Sequence, residues 1–290
     1  MLLISAIVTG LSVGSMYGLI ALGYHVTFVV SNTVNFSQGS AMMLGAVLGY
    51  TFGVRYGWPM PLAIAAALVL CALFGLVVER LLVRPFAERG SNAWLMATVA
   101  GGIVLENAVL FTFGKEPRGF PSALAVKPIS VFGAGVFPLQ LVIPLAGLAI
   151  AVALHLVYRH TRIGKALLAV VQNPDAARLM GIDVRRAIAG SYAVSTVLAG
   201  IAGLLIAPLF SVQSEMGTLF GIKGFAVAIL GGITSAWGVM LAGLAYGLIE
   251  ALVTAWFGSV YTQIVTFSLV ILVLAAMPNG LLGRAAVNKV

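Results

Sequence analysis

The chain has 290 residues, of which 61% are hydrophobic and 8% are charged, and its net charge is +8. A water-soluble domain carries roughly a quarter of charged residues, so this composition excludes a soluble globular protein and predicts a polytopic membrane protein. The positive charge does not indicate nucleic-acid binding, because the Lys and Arg residues lie in short loops between apolar segments, where they set topology and contact membrane lipid.

Apolar segments long enough to cross a membrane follow one another along the chain. A transmembrane helix needs about 20 apolar residues. By this criterion we predict an all-α polytopic membrane protein with a single transmembrane domain over residues 1–290 and about eight transmembrane helices. These helices are expected near 4–30, 38–54, 60–82, 94–114, 138–158, 187–208, 236–257 and 261–278.

Two segments do not fit a pattern of complete spans. The stretch 31–40 is polar but carries no charge, and the stretch 216–234 is apolar and Gly-rich but is interrupted by Lys223. The second is too short for a complete span, so we expect a broken or re-entrant segment there. Glycines that recur every four residues, such as Gly10, Gly14 and Gly18, predict close helix packing.

The distribution of Lys and Arg indicates the orientation of the loops. Six of the 16 cations lie in the connection 159–186, which predicts a cytoplasmic loop. The loop 79–93 is expected on the same side, and the Pro-rich segment 115–128 is expected to be an ordered external loop. Eight spans place both termini outside, whereas Arg284 and Lys289 favour the inside, so the sequence leaves the side of the termini open.

A short capped helix is predicted within the cytoplasmic loop. In "NPDAARLMGID", residues 173–183, Asn173 can cap a helix, Pro174 suits its first position, and Gly181 suits a left-handed ending. The preceding residues 163–172 predict a second, amphipathic helix. So short a helix needs packing to be stable, and two interpretations follow: a loop that rests on the bilayer surface, or a docking element for a soluble partner.

The loop has a counterpart in a known family. The pattern Asp-Ala-Ala-x-x-x-Gly resembles the Glu-Ala-Ala-x-x-x-Gly loop of permease subunits in bacterial ABC importers, with Asp in place of Glu. Other stretches look like the shorter of the two permeases of branched-chain amino-acid importers. They are 18–50, 161–205, 221–252 and 278–283, so the resemblance covers nearly the whole chain.

The resemblance implies a permease subunit in a bacterial inner membrane that moves branched-chain or related amino acids inward. It implies a second similar permease, two ATPase subunits and a periplasmic binding protein as partners. It also implies that ATP and Mg are bound by those ATPases, with no cofactor in this chain. The ATPase-coupling helix would comprise Pro174, Asp175, Ala176, Ala177, Arg178, Leu179, Met180 and Gly181.

The sequence itself contains neither an ATP-binding motif nor a recognisable set of catalytic residues. It has no G-x-x-x-x-G-K-[ST] motif to hold ATP phosphates, no His/Cys/Asp cluster with metal-ligand spacing, and no set of nucleophile, base and acid. Family relatives also carry urea, amides and aromatic acids. This chain has "NFSQG" at 35–39 where the family usually has "NFAHG", a difference that bears on the substrate.

Six polar residues are candidates for the translocation pathway. Asn35, Ser37, Gln38 and Gly39 supply uncharged polar groups at an expected helix start, although capping alone would also explain Asn35 and Ser37. Glu106 and Glu250 lie inside predicted spans, where insertion of a charged residue costs about 2.5–3.5 kcal/mol. Each can serve in helix–helix hydrogen bonding or in the pathway. The alternative function is a proton-coupled secondary transporter that uses Glu106 or Glu250.

Overall fold

The computed structural model describes residues 2–131, 133–277 and 279–283, and within them it contains twelve α-helices. In chain order they are α1 Leu2–Ser31, α2 Gln38–Tyr50, α3 Met60–Val77, α4 Arg84–Ala87, α5 Trp94–Phe113, α6 Pro138–His160, α7 Arg162–Gln172, α8 Pro174–Leu179, α9 Val184–Ile206, α10 Met216–Gly231, α11 Ala236–Phe257 and α12 Ser259–Ala276.

Short irregular elements join some of these helices. Helix α2 continues as the π-helix Thr51–Arg55, and α3 runs into α4 through the π-helix Val78–Val83. The loop before α6 contains a 3₁₀ turn, Ala123–Ala125, and an antiparallel hairpin of β1 Ile129–Val131 and β2 Ala134–Val136. The sequence analysis did not predict this hairpin.

The prediction of an all-α polytopic membrane protein is confirmed. In the described part of the chain, seven helices are long and apolar enough to cross a membrane: α1, Met60–Ala87, α5, α6, α9, α11 and α12. The predicted span 38–54 corresponds to α2 with its π-helical continuation. This helix begins inside the bundle, because Gln38 at its first position is fully buried and bonded to the backbone of α9.

The segment expected to be broken or re-entrant forms the short helix α10. Its 16 residues are continuous, and at 1.5 Å per residue they extend about 24 Å, less than the roughly 30 Å of a bilayer's hydrocarbon core. Gly232 ends the helix with a φ of +86°. Helix α10 packs against α1, α2 and α11, so most of it is shielded by protein.

Contacts between loops show which helix ends share a side. Arg185 forms a salt bridge with Glu88 at 2.9 Å, which confirms that the loops 159–186 and 79–93 lie together. The Nδ1 atom of His25, near the end of α1, lies 2.7 Å from the carbonyl oxygen of Ile233, just after α10. The N–H of Leu281 donates to the carbonyl of Leu230. Val30, at the end of α1, packs with Ala177 of the 159–186 loop. Helix α12 therefore ends on the side of this loop, while α1 begins on the opposite side.

This arrangement resolves the side on which α12 ends. The seven long helices, together with α2 and α10, make nine membrane-embedded helices in the described part of the chain. An odd number of passes places the end of α12 opposite the start of α1. Arg284 and Lys289, which favoured an inside C-terminus, lie outside the described residues.

Glycine faces hold the central helices together, as the spacing predicted. A Cβ atom on Gly14 of α1 would lie 2.6 Å from the carbonyl oxygen of Gly243, and one on Gly243 would lie 2.6 Å from Gly18. Only a residue without a side chain allows α1 and α11 to approach so closely. Because lipid gives helices no hydrophobic reason to associate, such close packing supplies much of the attraction between them.

Candidate functional site

The helix α8 is capped at both ends as the sequence predicted. The side-chain oxygen of Asn173 accepts hydrogen bonds from the backbone N–H groups of Asp175 at 3.1 Å and Ala176 at 3.0 Å. Pro174 occupies the start of the helix, and Gly181 ends it with a φ of +82°. The cap satisfies two of the backbone donors that a helix start leaves free, which stabilises six residues that would not stay helical alone.

One face of α8 is anchored to the protein and the other is exposed. Ala177 is only 3% exposed and packs in a small apolar cluster that includes Val30 at the end of α1. By contrast, Leu179 is 90% exposed and Met180 is 82% exposed. These two residues lie at the end of a helix outside the membrane-spanning segments, where they form an exposed apolar surface.

A cleft next to α8 joins it to the loop 79–93. Its volume is about 860 Å³, and Arg178, Gly181 and Asp183 line one wall while Glu79 and Arg84 line the other. Glu79 is almost fully buried, and its carboxylate receives two hydrogen bonds from Arg84, at 3.0 and 2.7 Å. The bidentate pair neutralises the buried charge and fixes the start of α4 beside the cleft.

Hydrogen bonds connect α9 to the polar stretch 31–40. The hydroxyls of Tyr192 and Thr33 lie 2.7 Å apart. Further along α9, the hydroxyl of Ser195 donates to the side-chain oxygen of Gln38 at 2.9 Å, and the amide of Gln38 donates to the carbonyl of Ser195 at 2.8 Å. Thr33 and Gln38 therefore link this stretch to α9 by hydrogen bonds.

The predicted pathway residues at 35–39 occupy two kinds of position. Asn35, Ser37 and Gln38 are fully buried. The side-chain oxygen of Asn35 accepts hydrogen bonds from the N–H of Ser37 at 3.1 Å and from its hydroxyl at 2.6 Å, which is a local capping arrangement. Gly39 is buried too and packs against the backbone of Gly217 on α10, but it borders a cavity, unlike the other three residues.

That cavity, which we call the Glu106 groove, has a volume of about 330 Å³ and lies between α2, α5 and α10. The carboxylate of Glu106 accepts hydrogen bonds from Ser40 on α2 at 3.1 Å and from Thr218 on α10 at 2.8 Å. The structure thus brings together two of the predicted pathway positions, Gly39 and Glu106. The remaining wall is mainly apolar and includes Tyr24, Phe36, Val99, Ile103, Ile222 and Phe225.

Glu250 lies elsewhere and has a cationic partner. Its carboxylate forms a salt bridge with Lys223 of α10, and the Lys223 ammonium also donates to the Tyr17 hydroxyl at 3.2 Å. The pair borders a second cavity of about 890 Å³, between α1, α10, α11 and the hairpin. The second carboxylate oxygen of Glu250 is buried and has no hydrogen-bond partner among the described residues.

Several contacts of these candidate sites were not predicted from the sequence. Lys223 was recognised only as an interruption of an apolar segment, although a cation and an acid within spans are expected to pair. Ser40 and Thr218 gave no signal, because hydroxyl residues are common in membrane helices. Tyr192 and Ser195 reach their partners Thr33 and Gln38 only because α9 packs beside the stretch 31–40. In the described ranges, no group of three or more His, Cys, Asp or Glu side chains could hold a metal ion.

Comparisons with known proteins agree with these features. Residues 6–274 match the family model described as "Branched-chain amino acid transport system / permease component". The chain is 32% identical to the high-affinity branched-chain amino acid transport system permease protein LivH of Escherichia coli K12, covering 97% of this chain and 96% of that protein. It is 33% identical to the corresponding protein BraD of Pseudomonas aeruginosa, covering 98% and 97%.

A more distant relative extends the same similarity. A probable branched-chain amino acid transport permease protein, LivH of Methanocaldococcus jannaschii, is 28% identical and covers 91% of this chain and 88% of that protein. The family model covers most of the membrane-embedded helices together with α8. The chain therefore belongs to the family of branched-chain amino acid transport system permease components.

Proposed function

We propose that this chain is the permease through which an ATP-driven importer moves branched-chain or related aliphatic amino acids into the cytoplasm. A second permease, two ATPase subunits that bind ATP and Mg, and a periplasmic binding protein complete the transporter. The observation that carries the proposal is α8, a capped helix that is anchored by Ala177 and exposes Leu179 and Met180. Together with Pro174, Asp175, Ala176, Arg178 and Gly181, these residues form the contact for the ATPase.

The hydrogen bonds of α9 give a route by which movement of α8 reaches the membrane interior. Helix α8 is joined to α9 by a turn of four residues, and α9 is bonded to Thr33 and Gln38. Gly39 follows at once and lines the Glu106 groove. A displacement of α8 when the ATPases close on ATP therefore shifts the start of α2 and changes the shape of this groove.

The substrate class follows from the relatives and from the groove. Relatives named for branched-chain amino acids align over more than nine-tenths of the chain. Permeases named for fructose in Rhizobium meliloti and for autoinducer 2 in Escherichia coli O9:H4 align over 71% and 70%. The apolar wall of the Glu106 groove suits an aliphatic side chain better than a sugar.

A proton-coupled carrier would need a carboxyl group that is free to load a proton. Glu250 is paired with Lys223, which opposes that use of Glu250, whereas Glu106 has no cationic partner among the described residues and is not opposed in this way. A carrier of this kind would, however, have no use for the exposed apolar end of α8. The exposed end of α8 therefore favours the ATP-driven importer.

The test is substitution of an exposed apolar residue on α8. In proteoliposomes that contain the complete transporter, Leu179→Asp is expected to lower leucine uptake at least tenfold. The reason is that it places a charge in the proposed ATPase contact. The matched control is Ile163→Asp on α7, an apolar residue that is also largely exposed but lies outside the proposed contact, and it should leave uptake unchanged. Normal ATP-dependent uptake by Leu179→Asp would contradict the docking role of α8.

A further inference from the structure

The carboxylate of Glu106 occupies an unusual position for an acidic group within a membrane span. It is half-buried at the Glu106 groove, and in the described part of the chain no Lys or Arg pairs with it. A charge exposed to hydrocarbon costs about 2.5–3.5 kcal/mol on insertion scales, so this face of α5 is directed toward protein or water and not toward lipid.

Two hydroxyl groups hold the Glu106 carboxylate in place without neutralising it. Ser40 and Thr218 come from the two other helices that form the groove, so the carboxylate is fixed at the point where α2, α5 and α10 meet. One oxygen accepts from both hydroxyls and the other accepts only from Thr218. An ionised carboxylate can accept about four hydrogen bonds, so the second oxygen retains capacity for a further donor.

The surroundings of the carboxylate restrict what that donor can be. The groove volume of about 330 Å³ lies at the small end of ligand pockets, and its walls are mainly aliphatic and aromatic. A carboxylate attracts a cation and repels an anion, while Ile103, Ile222 and Phe225 favour a hydrocarbon chain. A small molecule with an ammonium group and an aliphatic side chain matches both features.

We propose that the Glu106 groove is a binding site on the transport pathway that receives the ammonium group of an aliphatic amino acid at Glu106 and its side chain against the apolar wall. This inference rests on the proposed function, which it deepens by assigning a recognition site to this chain. Glu106 contacts the substrate, while Ser40 and Thr218 position the carboxylate.

A thiol placed in the groove tests the electrostatic part of the proposal. Ile222 is exposed and lines the groove without bonding to Glu106, and the only cysteine of the chain, Cys71, is buried. In the assembled transporter, Ile222→Cys is modified with the cationic 2-aminoethyl methanethiosulfonate and the anionic 2-sulfonatoethyl methanethiosulfonate. The rates are divided by those of a free thiol in solution, and the unsubstituted transporter gives the background.

The cationic reagent is expected to react faster by roughly tenfold, the effect of reversing a unit charge within about 6 Å of a carboxylate in water. Adding Glu106→Gln should remove the preference, because glutamine keeps a hydrogen-bond acceptor but has no charge, and Glu106→Asp should retain it. Excess L-leucine should slow the modification, whereas 4-methylpentanoate, which has the same chain without the ammonium group, should not. Absence of modification, equal rates for both reagents, or equal protection by both ligands would overturn the proposal.

Transport measurements separate this inference from the proposed function. If the unsubstituted transporter fails to import L-leucine with ATP, the proposed function fails. If it imports L-leucine and Glu106→Gln does so at the same rate, only the role of Glu106 fails. The expected result is at least a tenfold lower uptake by Glu106→Gln with ATP hydrolysis retained, and recovery of uptake in Glu106→Asp.

Discussion

The two glutamates inside the spans, Glu106 and Glu250, have different surroundings, and we expect different roles from them. Glu250 is paired with Lys223 and borders the larger cavity, while Glu106 is held by two hydroxyls in the smaller one. A carboxylate with a cationic partner is committed to joining helices. A carboxylate that only hydroxyls hold has no cationic partner that a ligand would have to displace.

Helix α10 separates the two environments, because it supplies a partner to each glutamate. Thr218 and Lys223 are five residues apart, which corresponds to about 140° around a helix of 3.6 residues per turn. They therefore project in different directions, one toward α2 and α5 and the other toward α1 and α11. A movement of α10 would affect both sites.

The largest expected effect is on the Lys223–Glu250 pair. Lys223→Met leaves the largely buried carboxylate of Glu250 without its cation, and removal of one partner of a buried ion pair costs about 3–5 kcal/mol of stability. Thermal unfolding of the purified protein in detergent measures this loss as a lower midpoint. The double variant Lys223→Met with Glu250→Met should recover most of the stability, because no unpaired charge remains. A single variant as stable as the parent would show that the pair does not join α10 to α11.

A smaller effect is expected when Glu106 is replaced by an apolar residue. Glu106→Leu removes the acceptor for Ser40 and Thr218, and the buried Ser40 hydroxyl then lacks this partner, at a cost of about 1–3 kcal/mol. Glu106→Gln retains an acceptor and should recover most of that loss in the same unfolding experiment. Equal losses in the two variants would mean that the charge itself stabilises the fold, and the contrast between the two glutamates would disappear.

The extent to which these sites could be predicted depends on how far apart their residues lie in the chain. The cap of α8 follows from Asn173, Pro174 and Gly181, which are neighbours, and the structure confirms it. The transmembrane helices follow from apolar runs of known length. By contrast, the partners Glu106 and Thr218 are separated by 112 residues. Their proximity depends on the close approach of Gly39 and Gly217, which the local sequence does not specify.

Burial of the stretch 35–38 could not be predicted for a related reason. Its polar residues suggested a pathway lining, but Gln38 and Ser195 satisfy each other's hydrogen bonds across 157 residues. Which residue of this stretch borders a cavity and which is enclosed by protein depends on how α2 packs on α9 and α10. The pathway role of Asn35, Ser37, Gln38 and Gly39 stays a prediction, and of these four only Gly39 borders a cavity.

The smallest expected effect is at Tyr17, which contributes a neutral hydrogen-bond partner to the charged pair. Tyr17→Phe removes the acceptor that lies 3.2 Å from the Lys223 ammonium but keeps the ring, whose centre is 5.6 Å from the same atom. Because the salt bridge to Glu250 remains, the cost should be about 0.5–1.5 kcal/mol, well below that of Lys223→Met. The same unfolding experiment ranks the two variants. A Tyr17→Phe loss as large as that of Lys223→Met would mean that the tyrosine hydroxyl, and not Glu250, is the main partner of the buried lysine, so that Glu250 would be as available as Glu106.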